Sequence, residues 1–269
     1  MIELNAVLTA RRDIAPGLAV FRVEPVGWEI KDFKSGQFAV IGLPGSSPRC
    51  EGSDPEVPPA DPAKVIRRAY SIASSSLERQ YLEFYVVMVE SGALTPRLFA
   101  LQPGDKLWLG KKITGAFTLD QVPAGHNLVL VATGTGLAPY ISMLRSQLLH
   151  TRQSKVGVLH GARHSWDLGY QNELAMVERD FSDFTYIPSI TRPSGEKTPW
   201  PGLSGYIQDI WKRRPFLARW GFDPAPEHTN VLLCGNPAMI ETMVEILGEE
   251  GFREHTKNNP GQIHLERYW

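Results

Sequence analysis

The pattern of apolar residues changes near the middle of the chain, and this change limits the possible folds more than any other feature. In residues 1–120, short runs rich in β-forming residues are separated by turns that contain glycine or proline; the clearest runs are Leu18–Val23, Gln37–Ile41 and Tyr81–Val89. Short strands separated by tight turns are typical of an antiparallel barrel. We therefore expect an N-terminal antiparallel β-barrel in residues 1–120.

Residues 121–269 alternate between strand and helix patterns. Leu128–Ala132 is a continuous apolar run, and apolar residues at helical spacing follow it at 137, 141, 144 and 148. Further strands are predicted at Val156–His160, Thr185–Ile190 and Val231–Cys234, and further helices at Asn172–Arg179 and Pro237–Glu250. This alternation predicts a C-terminal α/β domain with a parallel sheet, and a chain of 269 residues is long enough for both domains.

One segment, Pro44–Pro62, fits neither pattern. Six of its residues are prolines, and few of the others are apolar. Such a segment buries too little surface to offset the entropy lost when it is ordered. We expect a surface insertion that is free to move, in which Cys50 has no particular role.

Composition excludes several classes of protein. Lys and Arg total 28 and Asp and Glu total 29, so the net charge of -1 favours neither nucleic acid nor an anionic membrane surface as a partner. No apolar run is long enough for a membrane span, and the N-terminus lacks the pattern of a secretion signal. Two cysteines, Cys50 and Cys234, are too few for an iron–sulfur cluster and form no metal-spaced group. We expect a cytoplasmic protein without a bound metal.

The sequence Gly134-Thr135-Gly136 lies between a predicted strand and a predicted helix. Main-chain N–H groups at such a turn can bind a pyrophosphate, and glycine leaves room for it. The longer Gly-x-Gly-x-x-Gly pattern is broken by Pro139, although proline is well tolerated in the first turn of a helix. Taken alone, the motif fits a dinucleotide site and an ordinary tight turn about equally well.

Two arginines follow predicted strands of the second domain. Dinucleotide-binding folds often place a carboxylate after the second strand to bind the ribose of NAD, but here Arg163 follows that strand and no acidic residue comes directly after it. Arg192 follows the third strand. Each arginine taken alone is better explained as solvated surface, whereas the pair favours the 2′-phosphate of NADP.

Arg68-Ala69-Tyr70-Ser71 offers a cation, an aromatic ring and a hydroxyl within four residues. In a strand, Arg68 and Tyr70 share one face. A flavin nucleotide would use all three groups, for its phosphates, its ring and its reactive nitrogen. Without further context, an edge strand with a surface arginine is the better interpretation.

Two further motifs lie in the C-terminal part of the chain. Cys234-Gly-Asn-Pro237 follows a buried strand and begins a helix, which is where α/β folds bind ligands; a buried structural cysteine is the alternative. The terminal Tyr268 and Trp269 are either packing residues or rings that cover a flat cofactor.

Five motifs occur in this order along the chain: Arg68-Ala-Tyr-Ser71, Gly92-Ala-Leu-Thr95, Gly134-Thr-Gly-Leu-Ala-Pro139, Cys234-Gly-Asn-Pro237 and the terminal Tyr268-Trp269. As a set they resemble the ferredoxin–NADP+ reductase family, and in particular its bacterial members that end in an aromatic pair. The resemblance extends from near the first residue to the last and is interrupted by the Pro44–Pro62 insertion.

The resemblance implies that FAD is bound by residues of the barrel and of the C-terminus: Arg68, Ala69, Tyr70, Ser71, Gly92, Leu94, Thr95, Tyr268 and Trp269. Within this set it places Arg68 at the pyrophosphate and Ser71 near N5 of the flavin. Tyr70 and Tyr268 would cover the two faces of the ring system, and Trp269 would lie toward the adenine.

The resemblance also implies that NADP(H) is bound by residues near the carboxyl ends of the strands of the second domain: Thr133, Gly134, Thr135, Gly136, Arg163, Arg192, Tyr206, Gly235 and Pro237. Bacterial relatives often have a further arginine where this chain reads Ser204-Gly205-Tyr206. Tyr206 instead resembles the plant-type tyrosine that stacks on the adenine. The preference for NADP then rests on two arginines.

The implied activity is hydride transfer between NADP(H) and FAD, with single electrons exchanged with ferredoxin or flavodoxin. The implied catalytic residues are Ser71, Cys234, Glu266 and Tyr268, with Cys234 beside the nicotinamide. We expect a monomer with a basic rim for an acidic carrier. Two alternatives are another NAD(P)H-dependent flavin, ferric or oxygenase-component reductase on the same fold, and a flavin-binding subunit that transfers electrons within a larger complex.

Overall fold

The computed structural model describes residues 3–146, 148–151 and 154–267. The chain forms two compact units, of which one contains the described residues up to Thr118 together with Ala138–Ser146. The other contains Leu119–Leu137 and the described residues beyond 147. Tyr268 and Trp269, the predicted pair of rings, lie outside the described residues.

The first unit is built on six antiparallel strands. They are β1 (Ala6–Ala15), β2 (Leu18–Pro25), β3 (Phe38–Pro44), β4 (Val65–Ser71), β5 (Leu82–Val87) and β6 (Lys106–Leu109), in the order β4-β3-β6-β1-β2-β5. A bridge between Ile72 and Phe84 links the end of β4 to β5 and closes the sheet. The predicted antiparallel β-barrel is thus confirmed.

Alternating side chains of the barrel strands point inward and form its core. In β3, Ala39, Ile41 and Leu43 are no more than 1% exposed. A short helix, α1 (Thr95–Ala100), adds Phe99, whose ring meets that of Phe21 edge to face at 5.5 Å. This packing attaches α1 to the barrel core.

A second helix, α2 (Ala138–Arg145), follows the glycine turn in sequence but belongs to the first unit. Ser142 Oγ donates a hydrogen bond of 2.7 Å to the carbonyl of Ser74, and Arg145 forms an ion pair of 2.6 Å with Glu83. Pro139 lies in the first turn of α2, as the sequence predicts. The predicted helical pattern through residue 148 is divided in the structure, because α2 ends at Arg145.

The Pro44–Pro62 insertion has more contacts to the barrel than its composition predicts. Glu56 pairs with Arg97 of α1 at 2.9 Å, and Arg49 donates to three main-chain carbonyls. Cys50 packs against the barrel core, with its Sγ 3.3 Å from Met88 Sδ. Composition underestimates this order because a few charged side chains fix the segment without an apolar core of its own.

The second unit is built on six parallel strands in the order β10-β9-β8-β7-β11-β12. The strands are β7 (Asn127–Thr133), β8 (Val156–Ala162), β9 (Phe184–Ile190), β10 (Leu203–Ser204), β11 (Thr229–Cys234) and β12 (Ile263–Glu266). The helices are α3 (Leu148–Thr151), α4 (Gln171–Asp180), α5 (Ile207–Lys212), α6 (Leu217–Trp220) and α7 (Pro237–Glu249). The predicted α/β class is confirmed.

The central strands of this sheet are covered on both faces, as expected for parallel strands. Every residue of Leu128–Ala132 is 0% exposed. On one face, Gly157 lets the aromatic rings of Phe216 and Trp220 approach the sheet, because a Cβ at this position would overlap them. Among the described residues, no helix has the length and apolar character needed to cross a membrane, and no group of histidine, cysteine or acidic side chains is placed to hold a metal.

Candidate functional site

Strand β4 presents the motif Arg68-Ala69-Tyr70-Ser71. It pairs with β3, with Arg68 opposite Ile41 and Tyr70 opposite Ala39. Arg68 and Ala69 are exposed. One nitrogen of the Arg68 guanidinium donates a hydrogen bond of 2.8 Å to the carbonyl of Arg67, and the other N–H groups of the guanidinium stay available. Ser71 is buried at the end of the strand.

Tyr70 is a half-buried ring supported by the barrel core. It packs against Phe84 edge to face, with ring centroids 6.4 Å apart. Burial raises the pKa of Tyr70 above its usual value, so the phenol stays protonated at neutral pH. The ring therefore offers a fixed, uncharged aromatic surface beside the Arg68 guanidinium.

The turn before α1 carries a second group of predicted residues, Gly92, Leu94 and Thr95. The turn is closed by a bond of 2.8 Å from Gly92 N–H to Val89 C=O and by Thr95 Oγ1, which donates to Val89 C=O and accepts from Val89 N–H. The Thr95 hydroxyl proton is therefore used within the turn.

Three successive N–H groups of this turn, those of Ala93, Leu94 and Thr95, have no acceptor in the described part of the chain. Successive main-chain N–H groups of this kind form an anion-binding concavity. With the donors of Arg68, they supply the chemistry that a pyrophosphate requires. No hydrogen bond between described residues joins Arg68 to the turn, so the two are separate contributions.

The second group of predicted residues follows one edge of the parallel sheet, because parallel strands all end at the same edge. In strand order, Tyr206 follows β10, Arg192 follows β9, Arg163 follows β8 and Gly134 follows β7, and β11 ends at Cys234. Adjacent strands lie about 4.8 Å apart, and β9 is separated from β11 by three such spacings, or about 14 Å. The residues thus form a row on the scale of an extended dinucleotide.

The loops that follow β7 and β11 interlock, and this contact depends on glycine. A Cβ on Gly136 would overlap the carbonyl of Cys234, and a Cβ on Gly235 would overlap the side chain of Thr133. Thr133 Oγ1 accepts a hydrogen bond of 2.8 Å from Asn236 N–H. The structure therefore brings together two motifs that are about a hundred positions apart in sequence.

Within this pair of loops, the surroundings of Gly134 and Thr135 are open. Gly134 has φ of +55°, a left-handed conformation that favours glycine, and nothing lies within 4 Å of the position its Cβ would take. The half-buried Thr135 hydroxyl has no hydrogen-bond partner among the described residues. This open turn, with its free hydroxyl group, fits a pyrophosphate.

Asn236 and Pro237 begin α7. Asn236 Oδ1 accepts from the N–H groups of Ala238, at 2.9 Å, and Met239, at 3.4 Å, and Pro237 occupies the first helical position. This cap fixes the direction of the loop that contains Gly235. The sequence carries this signal, since asparagine before proline is a common start of a helix.

Arg163 and Arg192 lie close together at the ends of neighbouring strands. The main-chain N–H of Arg192 donates a hydrogen bond of 2.9 Å to the carbonyl of Arg163, and both side chains are exposed. Among the described residues, neither guanidinium has a hydrogen-bond or ion-pair partner. The Tyr206 ring, which is 63% exposed and equally without a partner there, follows the next strand. Two free cations beside a free ring suit a phosphorylated adenosine.

Glu196 and its neighbours in this region are not predicted by the sequence. Both carboxylate oxygens of Glu196 accept hydrogen bonds from Ser165, from its N–H at 2.8 Å and its hydroxyl at 2.5 Å, and these bonds lower the pKa of Glu196. His164 and Trp166 stack with ring centroids 4.4 Å apart. The contacts between Glu196 and Ser165 span 31 positions and follow no local pattern, so no sequence signal reveals them.

Cys234 and Glu266 occupy matching positions at the ends of β11 and β12. The Cys234 thiol is 0% exposed, and its Sγ lies 3.9 Å from a Glu266 carboxylate oxygen. The pair thus places a small polarisable group and a carboxylate at the same sheet edge as the glycine turn. The fourth predicted catalytic residue, Tyr268, lies outside the described residues, as does Trp269.

Similarity to known proteins agrees with this arrangement. The family model of the oxidoreductase NAD-binding domain matches residues 130–245. The chain is 33% identical to the flavodoxin/ferredoxin–NADP reductase of Buchnera aphidicola subsp. Baizongia pistaciae, over 90% of this chain and 96% of that protein. It is 31% identical to the ferredoxin–NADP reductase of Pseudomonas aeruginosa, over 87% of this chain and 86% of that one.

Among solved structures, a ferredoxin NADP+ reductase from Neisseria gonorrhoeae with bound FAD and NADP matches with a TM-score of 0.82. The two chains are 26% identical, and the match covers 98% of each. Sequence similarity over nearly the whole length and agreement of both units with this fold confirm the resemblance drawn from the motifs. This chain belongs to the ferredoxin/flavodoxin–NADP reductase family.

Proposed function

We propose that the protein is an FAD-containing reductase that takes electrons from NADPH and delivers them to a ferredoxin or a flavodoxin. The observation that carries this proposal is the row of Tyr206, Arg192, Arg163, Gly134 and Cys234 along one sheet edge, in the order that an extended NADP requires. When bound, FAD supplies a ring system that accepts a hydride from NADPH and releases its two electrons singly.

The first unit holds FAD through the phosphates and the ring. The free N–H groups of Ala93, Leu94 and Thr95 and the exposed Arg68 guanidinium bind the pyrophosphate, and the supported Tyr70 ring covers one face of the flavin. Ser71 is buried at the end of β4, and its hydroxyl is proposed to lie near N5 of the flavin. Tyr268 and Trp269, outside the described residues, are proposed to cover the opposite face of the flavin and the adenine.

The second unit holds NADP(H) along the sheet edge. Arg163 and Arg192 bind the 2′-phosphate, and Tyr206 stacks on the adenine. The turn from Thr133 to Gly136 binds the pyrophosphate together with the loop from Gly235 to Pro237. Because two charge-assisted bonds distinguish NADPH from NADH, we expect preference for NADPH.

Cys234 and Glu266 border the nicotinamide rather than react with it. The thiol is fully buried and its Sγ lies 3.9 Å from a Glu266 carboxylate oxygen, so in this proposal Cys234 acts through its size and position and not as a nucleophile. Its small, buried side chain sets how deeply the nicotinamide ring enters, and Glu266 keeps a polar group at the open side. Tyr268 is proposed to move aside when the nicotinamide binds, a role that deletion of the last two residues would test.

An acidic electron carrier requires positive charge at its docking surface. Arg67 lies on β4 next to the proposed flavin site, and its guanidinium is held over the Trp108 ring at 4.0 Å. In contrast, Arg214 pairs with Glu250 at 3.1 Å and is less available. The proposed compartment is the cytoplasm, because both cysteines are free thiols. The proposed monomeric state is open to a light-scattering measurement.

An anaerobic absorbance titration of the FAD-loaded protein with NADPH and with NADH tests the function and the two arginines. In the wild type, NADPH removes the flavin absorbance at a much lower concentration than NADH. Replacing both Arg163 and Arg192 with Gln is expected to reduce this preference by about a hundredfold, at about tenfold for each charged hydrogen bond.

Arg253→Gln is the matched control, because Arg253 is exposed and precedes β12, so it lies near the opposite edge of the sheet. This variant should keep the wild-type preference. A wild type that responds equally to NADPH and NADH contradicts the arginine assignment. A wild type that responds to neither contradicts the proposed function.

A further inference from the structure

The Pro44–Pro62 insertion is fixed to α1 by a buried ion pair that the proposed function does not use. Arg97 is 3% exposed, and its two terminal nitrogens each bond a different oxygen of Glu56, both at 2.9 Å. Such two-pronged pairs are the strongest form of the interaction. The bonds from Arg97, with one from Ala60 N–H, hold the pKa of Glu56 at about 2, so Glu56 is charged at neutral pH.

Two arginines, Arg97 and Arg49, hold the turn before α1 by its carbonyl groups. Arg97 donates to the carbonyl of Ala93 at 2.6 Å and to that of Gly45, in the insertion, at 2.7 Å. Arg49, from the insertion, donates to the carbonyls of Gly92 at 2.9 Å and Glu90 at 3.0 Å. Guanidinium groups therefore fix three carbonyls of the turn, those of Glu90, Gly92 and Ala93.

Fixing these carbonyls also fixes the N–H groups. In a trans peptide unit, the carbonyl of one residue and the N–H of the next point in opposite directions. When guanidinium groups hold the carbonyls of Gly92 and Ala93, the N–H groups of Ala93 and Leu94 must point away from them. These N–H groups belong to the set that has no acceptor in the described chain.

We infer that Glu56 and Arg49 are positioning residues for the FAD pyrophosphate, an inference that rests on the proposed function. Glu56 orients Arg97, and Arg97 and Arg49 together hold the turn with its N–H groups directed toward the position of the phosphates. A turn that is already ordered loses less entropy when it binds its ligand. The insertion is thus part of the cofactor site, although none of its side chains needs to contact FAD.

A general role in barrel stability predicts something different. If the insertion only stabilised the barrel, its loss would weaken binding of any flavin to the same extent. A positioning role acts on the phosphates alone. Riboflavin, which has the flavin ring but no phosphate, separates the two possibilities.

The test is the dissociation constant of the cofactor-free protein for FAD and for riboflavin, measured by flavin fluorescence, in the wild type and in Glu56→Gln. We expect Glu56→Gln to weaken FAD binding by about tenfold and to leave riboflavin binding within twofold. Glu51→Gln is the matched control, because it removes the same charge from an exposed position of the same insertion. It should change neither constant.

A second variant addresses the possibility that Glu56→Gln does not fold, since it leaves the buried Arg97 without a charged partner. Arg49→Gln keeps the two bonds between Arg97 and Glu56. It removes the bonds from Arg49 to the carbonyls of Gly92, Glu90 and Asp54, together with a longer ion-pair contact of 3.6 Å to Glu56. It should weaken FAD binding by about threefold, again without an effect on riboflavin.

Equal weakening of FAD and riboflavin binding, or no change in FAD binding for either variant, would overturn the inference and leave the proposed function intact. A wild type that binds riboflavin and FAD equally would overturn the inference as well, because the phosphates would then contribute nothing. A wild type that binds no flavin would overturn both.

Discussion

The two units each offer a turn that fits a phosphate, but they hold these turns in different ways. In the first unit, Arg49 and Arg97 hold the turn by its carbonyls, and Glu56 holds Arg97 from 41 positions away. In the second unit, Gly136 and Gly235 allow two loops to approach until the main chains touch. The first turn is positioned by charged side chains, and the second by the close main-chain contact that glycine allows.

This difference determines which substitutions each site tolerates. A turn held by hydrogen bonds from charged side chains weakens in steps, because each bond contributes separately and the backbone can adjust. A turn held by interlocked main chains has no room to adjust, because interiors are close-packed and an added methyl group must displace backbone. We therefore expect larger effects in the second unit for smaller chemical changes.

The largest effect is expected for Gly235→Ala. The added Cβ overlaps Thr133, and φ of +136° is unfavourable for any residue with a side chain. We expect the affinity for NADPH to fall by about a hundredfold or more while FAD binding is unchanged, since strain and overpacking each cost about 1–3 kcal/mol. Flavin absorbance reports both properties in one sample.

The control for this substitution is Gly248→Ala. Gly248 lies within α7, and nothing surrounds the position of its Cβ. Alanine there should leave NADPH affinity unchanged and raise stability by roughly 0.5–1 kcal/mol. If Gly235→Ala binds NADPH within threefold of the wild-type affinity, the claim that close main-chain contact positions this site is contradicted.

Acid is expected to destabilise the second unit first. His160 is fully buried, and burial lowers its pKa to about 3, from an ordinary 6.5. Because the unfolded chain binds a proton that the folded chain does not, stability is complete above pH 6.5 and is lost progressively as the pH falls toward 3. The loss at pH 5 is on the order of 2 kcal/mol.

Glu56 in the first unit behaves differently. Its pKa is about 2 when folded and 4.5 ordinarily, so its contribution is complete above pH 4.5 and is lost as the pH falls through 2. Hydrogen exchange followed by peptide at pH 7, 5.5 and 4.5 should show protection lost in β8 and β9 before the barrel strands. Simultaneous loss of protection in both units would contradict this order.

A smaller effect is expected for Thr133→Val, which keeps the shape of the side chain and removes its hydroxyl. The N–H of Asn236 then loses its acceptor, at a cost of about 1 kcal/mol. The KM for NADPH should rise about fivefold, with the rate at saturating NADPH and the dissociation constant of FAD unchanged. Thr242→Val is the control, because its hydroxyl bonds only a helix carbonyl of α7 on an exposed face. A KM within the error of the wild type would show that this bond does not position the loop.

The sequence predicts the two fold classes and most of the central strands correctly, because these depend on local periodicity. Leu128–Ala132 is a continuous apolar run that predicts a buried strand, and the structure confirms this strand. The site residues are also signalled locally, since glycines, arginines and Asn-Pro occur at strand ends. Their roles toward FAD and NADP stay predictions.

The contacts that position the site could not be predicted, because they join residues far apart in sequence. Composition indicates that Pro44–Pro62 has no core, but nothing local shows that Glu56 finds Arg97 or that Arg49 finds Gly92. Likewise, Thr133 gives no sign that its hydroxyl receives Asn236 N–H, 103 positions later. β12 pairs with β11 through its main chain, and its short sequence is too brief to show a period.

The most direct test of the account is anaerobic steady-state turnover of the FAD-loaded protein, with NADPH as donor and a flavodoxin or a [2Fe–2S] ferredoxin as acceptor. The account predicts that the carrier is reduced repeatedly at the expense of NADPH. With NADH, kcat/KM should be lower by about two orders of magnitude, in keeping with the two arginines. Loss of flavin absorbance with NADPH but no reduction of either carrier, or equal turnover with NADH, would contradict it.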